Sequence, residues 1–321
     1  MSEFRINPLT GEMTLYAENR KNRPYEFHHA IQTKQPDPTN CSFCAGHEAW
    51  TTAAVYQDQP DDAWQIRVFP NLYPAVSEDS RELSEREDFY EQATGRGRHE
   101  ILVDTREHSR TIDTFTAEHL ARVLAVLQVR SRDIASDAAI AYVQIFKNCG
   151  PSAGMSIRHS HWQIMGIPVV PRRVRSMADK MQTGDCLLCK ILSYEQEKER
   201  RIAGETAYFS AFAPYASRFP YELWIAPKVH QAHFTGLSEA ERQELSELLL
   251  RLLQRLAAVQ EEVGYNICVM DAPRSEDFHW HIEILPRIGG FAGFEYATDC
   301  FINLVLPEKA AAYYRGERTE E

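Results

Sequence analysis

Two long stretches of the chain gather apolar residues onto one helical face. Over 239–263, Leu245, Leu248, Leu249 and Leu252 recur at the three- and four-residue steps of an α-helix, and 117–135 carries the same periodicity. Thr116 and Ser238 stand just before these stretches, where a hydroxyl can cap the first turn. The leucine stripe reads as core rather than as a partner surface. Elsewhere, short apolar and β-branched runs predict strands at 65–69, 100–104, 139–148, 162–169, 208–212, 221–226, 266–270 and 279–285. The stretch 172–185 is poor in apolar residues and holds Arg172, Arg173, Arg175 and Lys180, which predicts a linker with solvated charges.

The elements come in the same order twice. One constant offset aligns Glu100 with Glu222, His108 with His230 and Thr116 with Ser238, so each half reads as strand, His-containing loop and capped helix. Each half also opens on a pair of cysteines and later carries a strand with histidines at i and i+2: His159 and His161, then His279 and His281. Features recurring together in order point to duplication. The expected architecture is an α+β fold of two tandem repeats, antiparallel sheets with helices packed on them, divided as 1–171, linker 172–185 and 186–321.

With 321 residues, 44% of them hydrophobic and 25% charged, the chain can bury cores for two domains. A formal charge of -11 argues against nucleic-acid binding, because phosphate contacts need clustered Lys and Arg. An anionic substrate must then meet a local basic pocket. No run approaches the roughly 20 apolar residues of a membrane span, and Met1-Ser2-Glu3-Phe4-Arg5 lacks the apolar core of a secretory signal. The expectation is a cytoplasmic protein without membrane contact.

In that reducing compartment the cysteine spacing acquires a meaning. Cys41 and Cys44, and again Cys186 and Cys189, are separated by two residues, while Cys149, Cys268 and Cys300 stand alone. A redox pair would need only one such motif, at a helix start after a strand; here each pair has histidines downstream that can complete a tetrahedral zinc site. The first half offers Cys41, Cys44, His108 and His159, and the repeat predicts Cys186, Cys189, His230 and His279 for the second. His233 and His281 are near enough in sequence to replace His230 or His279. Four protein ligands close a site, so the expectation is structural zinc, two ions per chain, with iron an option at one of them. Isolated histidines, namely His28, His29, His47, His99 and His119, read as surface or core.

Chemistry then has to come from the strand His159-Ser160-His161-Trp162-Gln163. In an extended strand His159, His161 and Gln163 share one face. With His159 on metal, His161 is left as a free imidazole able to attack phosphorus, and Gln163 can donate to a phosphoryl oxygen without acting as an acid. The preceding loop, Asn148-Cys149-Gly150-Pro151-Ser152-Ala153-Gly154-Met155-Ser156, is rich in small residues that let a phosphate approach the backbone.

The arrangement His-x-His-x-Gln after Asn-x-Gly-x-x-x-Gly-x-Ser resembles the galactose-1-phosphate uridylyltransferase family of the histidine-triad superfamily, which is built from two such repeats. The resemblance extends to Arg20 and Arg23 in Asn19-Arg20-Lys21-Asn22-Arg23-Pro24, and to Asn71 in Phe69-Pro70-Asn71-Leu72-Tyr73-Pro74. It implies two histidine-triad-like domains, the first catalytic, with His161 as the nucleotidylated nucleophile and Gln163 as its phosphate partner. Asn148, Gly154 and Ser156 would form the phosphate cradle, and Arg20, Arg23 and Asn71 would bind nucleotide. It also implies a homodimer whose sites borrow residues from the neighbour. Ser160 stands where many uridylyltransferases have Pro, and in this it is similar to plant-type ADP-glucose phosphorylases, as is the tail from Gly293 to Asn303.

The leading expectation is a ping-pong nucleotidyltransferase working between a nucleotide sugar and a sugar 1-phosphate, of the UDP-glucose–hexose-1-phosphate uridylyltransferase kind. The alternatives are phosphorolysis of an adenylylated substrate such as an ADP-sugar or a dinucleotide, and a zinc-stabilised nucleotide-binding protein without turnover. A histidine-triad hydrolase fits less well, since Gln163 cannot shuttle a proton near neutral pH. Glu283 takes the place of Gln163 in the second half, where a carboxylate repels phosphate, so that half is expected to be silent.

Overall fold

The structure, a computed structural model, describes residues 2–11, 13–17, 37–60, 63–79, 95–274 and 276–317. The chain opens on an antiparallel hairpin, β1 (Ser2–Ile6) against β2 (Met13–Ala17). A ten-stranded sheet follows. Its first five strands are β3 (Tyr56–Gln57), β4 (Arg67–Pro70), β5 (Arg98–Val103), β6 (Tyr142–Cys149) and β7 (His161–Ile167). Its second five are β8 (Ile202–Glu205), β9 (Phe209–Phe212), β10 (Leu223–Pro227), β11 (Tyr265–Met270) and β12 (His281–Pro286). The spatial order, β3-β4-β5-β7-β6-β11-β12-β10-β9-β8, is a palindrome of the two halves. They meet where β6 and β11 run antiparallel with Asn148 opposite Asn266.

Helix α1 (Ala117–Ser136) joins β5 to β6; α2 (Arg172–Ala178) and α3 (Leu187–Lys198) carry the chain into the second half, where α4 (Glu239–Ala257) joins β10 to β11. The caps work as the sequence suggests: Thr116 accepts the N–H of His119, and Ser238 forms a reciprocal capping box with Glu241. Alternation along the strands sorts the side chains. Leu102, Trp162, Ile164, Ile267 and Ile282 join the apolar stripes of α1 and α4 in one continuous core. On the first half's other face, Ile101 and Val103 pack with Phe43, Trp64 and Phe69 beneath the predicted chemistry.

Two stretches differ from expectation, and the tail adds a third feature. α4 stops at Ala257 instead of reaching 263. Glu262 takes a left-handed conformation (φ 50°), and Gly264 enters β11 so close to the first half that a Cβ there would lie 2.0 Å from Ser152 Oγ. The arginine-rich stretch 172–185 contains α2, because Val174, Met177 and Ala178 fall at helical spacing between the charges and are buried, as is Met181 beyond it. The tail forms α5 (Gly293–Thr298), β13 (Cys300–Asn303) and α6 (Pro307–Arg315), and β13 pairs in parallel with β2 to make a separate three-stranded sheet. Among the described residues no helix is long and apolar enough to cross a membrane.

Candidate active site and metal clusters

His161 opens β7 opposite Val103 and is 4% exposed. Its Nδ1 lies 2.7 Å from the carbonyl of His159. Nδ1 must therefore carry the proton and donate it, which leaves the lone pair on Nε2. Burial pushes the His161 pKa down to about 4, so the ring is neutral near pH 7. The edge of Phe43 packs on it with ring centroids 5.2 Å apart.

The backbone around this ring is held from behind. Lys147 on β6 donates to the carbonyl of His161 at 3.1 Å, to Ser160 Oγ at 2.8 Å and to Asp104 Oδ2 at 2.8 Å. Lys147 is 1% exposed and Asp104 0%. A fully buried ion pair contributes little net stability, but it fixes geometry because breaking either partner strands a charge. Neither residue is marked by the sequence, because the Lys147–Asp104 contact joins positions far apart along the chain.

Gln163 follows on the same face, its Oε1 2.9 Å from His99 Nε2. Asn71 is tied to that residue through the main chain, its N–H donating to the carbonyl of His99 at 2.8 Å, while its own Oδ1 accepts the N–H of Tyr73. Asn148 lies two residues beyond the Phe146–Gln163 pair, level with His161 on the adjacent strand. Its Oδ1 accepts from Asn266 Nδ2, which also donates to the carbonyl of Ala153, both at 2.8 Å. Arg287 Nε in turn donates to Asn266 Oδ1 at 2.6 Å. Gly154 is left-handed (φ 82°) on an exposed loop that also carries Ser156. Gly150 has the same positive φ, and a Cβ on it would come 3.0 Å from Gly264 Cα of the second half. Arg20 and Arg23 lie outside the described residues. His99, read from the sequence as surface or core, is 8% exposed, and only the pairing of β5 with β7 brings it to the face of Gln163; Asn266 is not singled out by the sequence.

Cys41, Cys44, His108 and His159 bring their ligand atoms within 4.8 Å of one another, and so do Cys186, Cys189, His230 and His279. The Sγ to Nδ1 separations run from 3.3 to 3.7 Å. A tetrahedron of Cys and His ligands around zinc has edges of about 3.6 Å. The imidazoles are also correctly turned. His159 Nε2 donates to the carbonyl of Thr105 and His279 Nε2 to that of Pro227, so each directs an unprotonated Nδ1 at the cysteines. Burial and the adjacent thiol push Cys44 and Cys189 up to about 12. Paired buried thiols of this kind need a cation to become thiolates. Both residue sets therefore fit a metal ion. His233 is half exposed beside Asp271, and His281 turns toward Glu283, so neither joins the second cluster.

The second half's counterpart of His161 is enclosed. His281 is 0% exposed, stacked against Trp224 at 4.8 Å. Glu283 accepts from Arg173 at 2.7 Å and Arg218 at 3.0 Å. Burial works against its charge, yet the two guanidinium groups hold it well below the usual carboxylate range.

Residues 1–171 match a family model described as the N-terminal domain of galactose-1-phosphate uridyl transferase. The chain belongs to the galactose-1-phosphate uridyl transferase family. A second family model, described only as a domain of unknown function, spans residues 97–313. Among relatives of this family member, an ADP-glucose phosphorylase of Arabidopsis thaliana is 33% identical over 328 residues, 98% of this chain and 92% of that protein. A galactose-1-phosphate uridylyltransferase of Thermotoga maritima is 28% identical over 338 residues and aligns over 100% of both chains. The crystal structure of the Arabidopsis thaliana ADP-glucose phosphorylase with bound ADP-glucose has a TM-score of 0.84 at 30% identity, covering 99% of this chain and 100% of that one. Family membership thus extends over both halves.

Proposed function

We propose that this chain is a nucleotidyltransferase that acts on a nucleotide sugar through a covalent intermediate on His161. The observation carrying the reading is the bond between His161 Nδ1 and the carbonyl of His159, which leaves a buried, neutral imidazole with its lone pair on Nε2. Nε2 attacks the α-phosphorus; the P–N bond forms as the P–O bond to the departing sugar 1-phosphate breaks. Nδ1 keeps its proton and donates it to the His159 carbonyl throughout, which steadies the positive charge that develops on the ring. A phosphate oxygen of the acceptor then attacks the same phosphorus and the electron pair returns to Nε2. Neither half-reaction needs a proton moved at the nucleophile, so an amide at Gln163 suffices to bind the phosphoryl oxygen.

Cys41, Cys44, His108 and His159 would hold one zinc ion and Cys186, Cys189, His230 and His279 another. Bound with four protein ligands, the ions would supply cross-links among loops, strand starts and the first turn of α3. His159 then anchors the strand start two residues from the nucleophile.

Two substrate pairs are compatible with these residues. Uridylyl exchange with a hexose 1-phosphate is supported by the matched family model and the Thermotoga maritima relative. Phosphorolysis of an ADP-sugar is supported by Ser160 between the histidines and by the 33% identity to the plant phosphorylase, and it is the pair we favour. Incubation with ADP-glucose or UDP-glucose, followed by intact mass measurement, distinguishes them: an adenylyl adduct supports phosphorolysis, and a uridylyl adduct supports exchange. No adduct from either sugar nucleotide, without turnover, would leave a non-enzymatic binding protein.

A further inference from the structure

His99 lies on β5 with its ring buried against Gln163, and its two nitrogens do different work. The backbone N–H of Ala75 donates to Nδ1 at 3.2 Å, which leaves no place for a proton on that atom. The neutral ring therefore carries its hydrogen on Nε2, and Gln163 Oε1, 2.9 Å away, accepts it. Asn71 Nδ2 also approaches Nε2, at 3.4 Å. Since Nε2 is already the donor, that approach is packing rather than a hydrogen bond. Burial keeps His99 below its ordinary pKa, against the opposite pull of the Gln163 bond.

A carboxamide has two ends of opposite polarity, and half a turn about its last bond exchanges them. A phosphoryl oxygen is attracted by one end and repelled by the other. We propose that His99 is a positioning residue that holds Gln163 Oε1 and thereby presents the Gln163 NH2 to the phosphoryl group transferred to His161. The proposal rests on the reading of His161 and Gln163 as the transfer machinery. It adds the residue that decides which way the amide points.

The test is the rate of adduct formation on His161, followed by rapid quench and intact mass with ADP-glucose and UDP-glucose. The proteins compared are wild type, His99→Ala, His99→Asn, His99→Gln, Gln163→Ala and the His99→Ala/Gln163→Ala double variant. A glutamine side chain reaches with its amide nitrogen to where Nε2 stood. Asparagine reaches only to Nδ1, so it keeps the Ala75 contact and offers Gln163 no donor. We expect His99→Ala and His99→Asn to slow the adduct by about 10- to 100-fold, His99→Gln to recover most of that, and the double variant to be no slower than Gln163→Ala alone. A purely structural role gives the reverse order, asparagine above glutamine, with losses that multiply in the double variant. Either result overturns the proposal, as does wild-type speed in His99→Ala. Absence of adduct in the wild-type protein removes the parent reading together with this one, whereas full-rate adduct in His99→Ala removes this one alone.

Discussion

Two histidines two residues apart differ in which nitrogen is left bare because their N–H groups donate to different carbonyls. His159 donates from Nε2 to the carbonyl of Thr105, which leaves Nδ1 facing the cysteines; His161 donates from Nδ1 to the carbonyl of His159, which leaves the lone pair on Nε2. Replacing His161 by Ala should therefore abolish the adduct and the exchange while leaving metal content unchanged, because that ring belongs to neither cluster among the described residues. Mass spectrometry and elemental analysis of the same sample check both halves of the claim, and normal turnover would sink it. The i, i+2 spacing and the glutamine were legible in the sequence. The proton positions were not, since Thr105 is distant in sequence and only the pairing of β5 with β7 brings it near. Lys147 and Asp104 were hidden for the same reason.

At the level of elements, the first Cys–His cluster ties a Cys loop to a strand start, and the second ties the first turn of α3, where Cys186 is the N-cap, to a strand start. Cys41→Ala and Cys186→Ala should each remove about one equivalent of metal per chain and lower Tm, since ligand binding to the native state is coupled to folding. The clusters are not equivalent. His230 Nε2 is backed by Asp277 at 3.1 Å, whereas His108 Nε2 is buried with no hydrogen-bond partner among the described residues. A carboxylate behind a ligating imidazole strengthens its hold on a metal by about 10- to 100-fold. Chelator titration should accordingly strip the first cluster before the second, and simultaneous loss would contradict the asymmetry. Helix starts were easy to read, because Thr116 and Ser238 act locally. Helix α2 was obscured by arginines, and the close approach of Gly264 to Ser152 of the other half, just after α4, is a contact that no local pattern encodes.

Across the whole molecule, the palindromic sheet makes the second half a support for the first. Asn266, on the strand facing β6, bonds both Asn148 and the carbonyl of Ala153, while Arg287 fixes its own orientation. Losing these bonds in Asn266→Ala should lower kcat/KM for the nucleotide sugar by about tenfold, with the adduct still on His161; steady-state kinetics that match wild type would show that the seam between the halves does not reach the substrate. The duplication itself was legible from the ordered Cys pairs, histidines and caps. The seam was not, because strand order across a sheet is set by pairing partners rather than by sequence spacing. The small sheet carries a consequence for biosynthesis. β2 is paired on one side by β1 and on the other, in parallel, by β13. At the usual pace of translation the ribosome needs on the order of tens of seconds to travel from one to the other. β2 must wait for β13 to be made, so until then the nascent chain carries an open β edge.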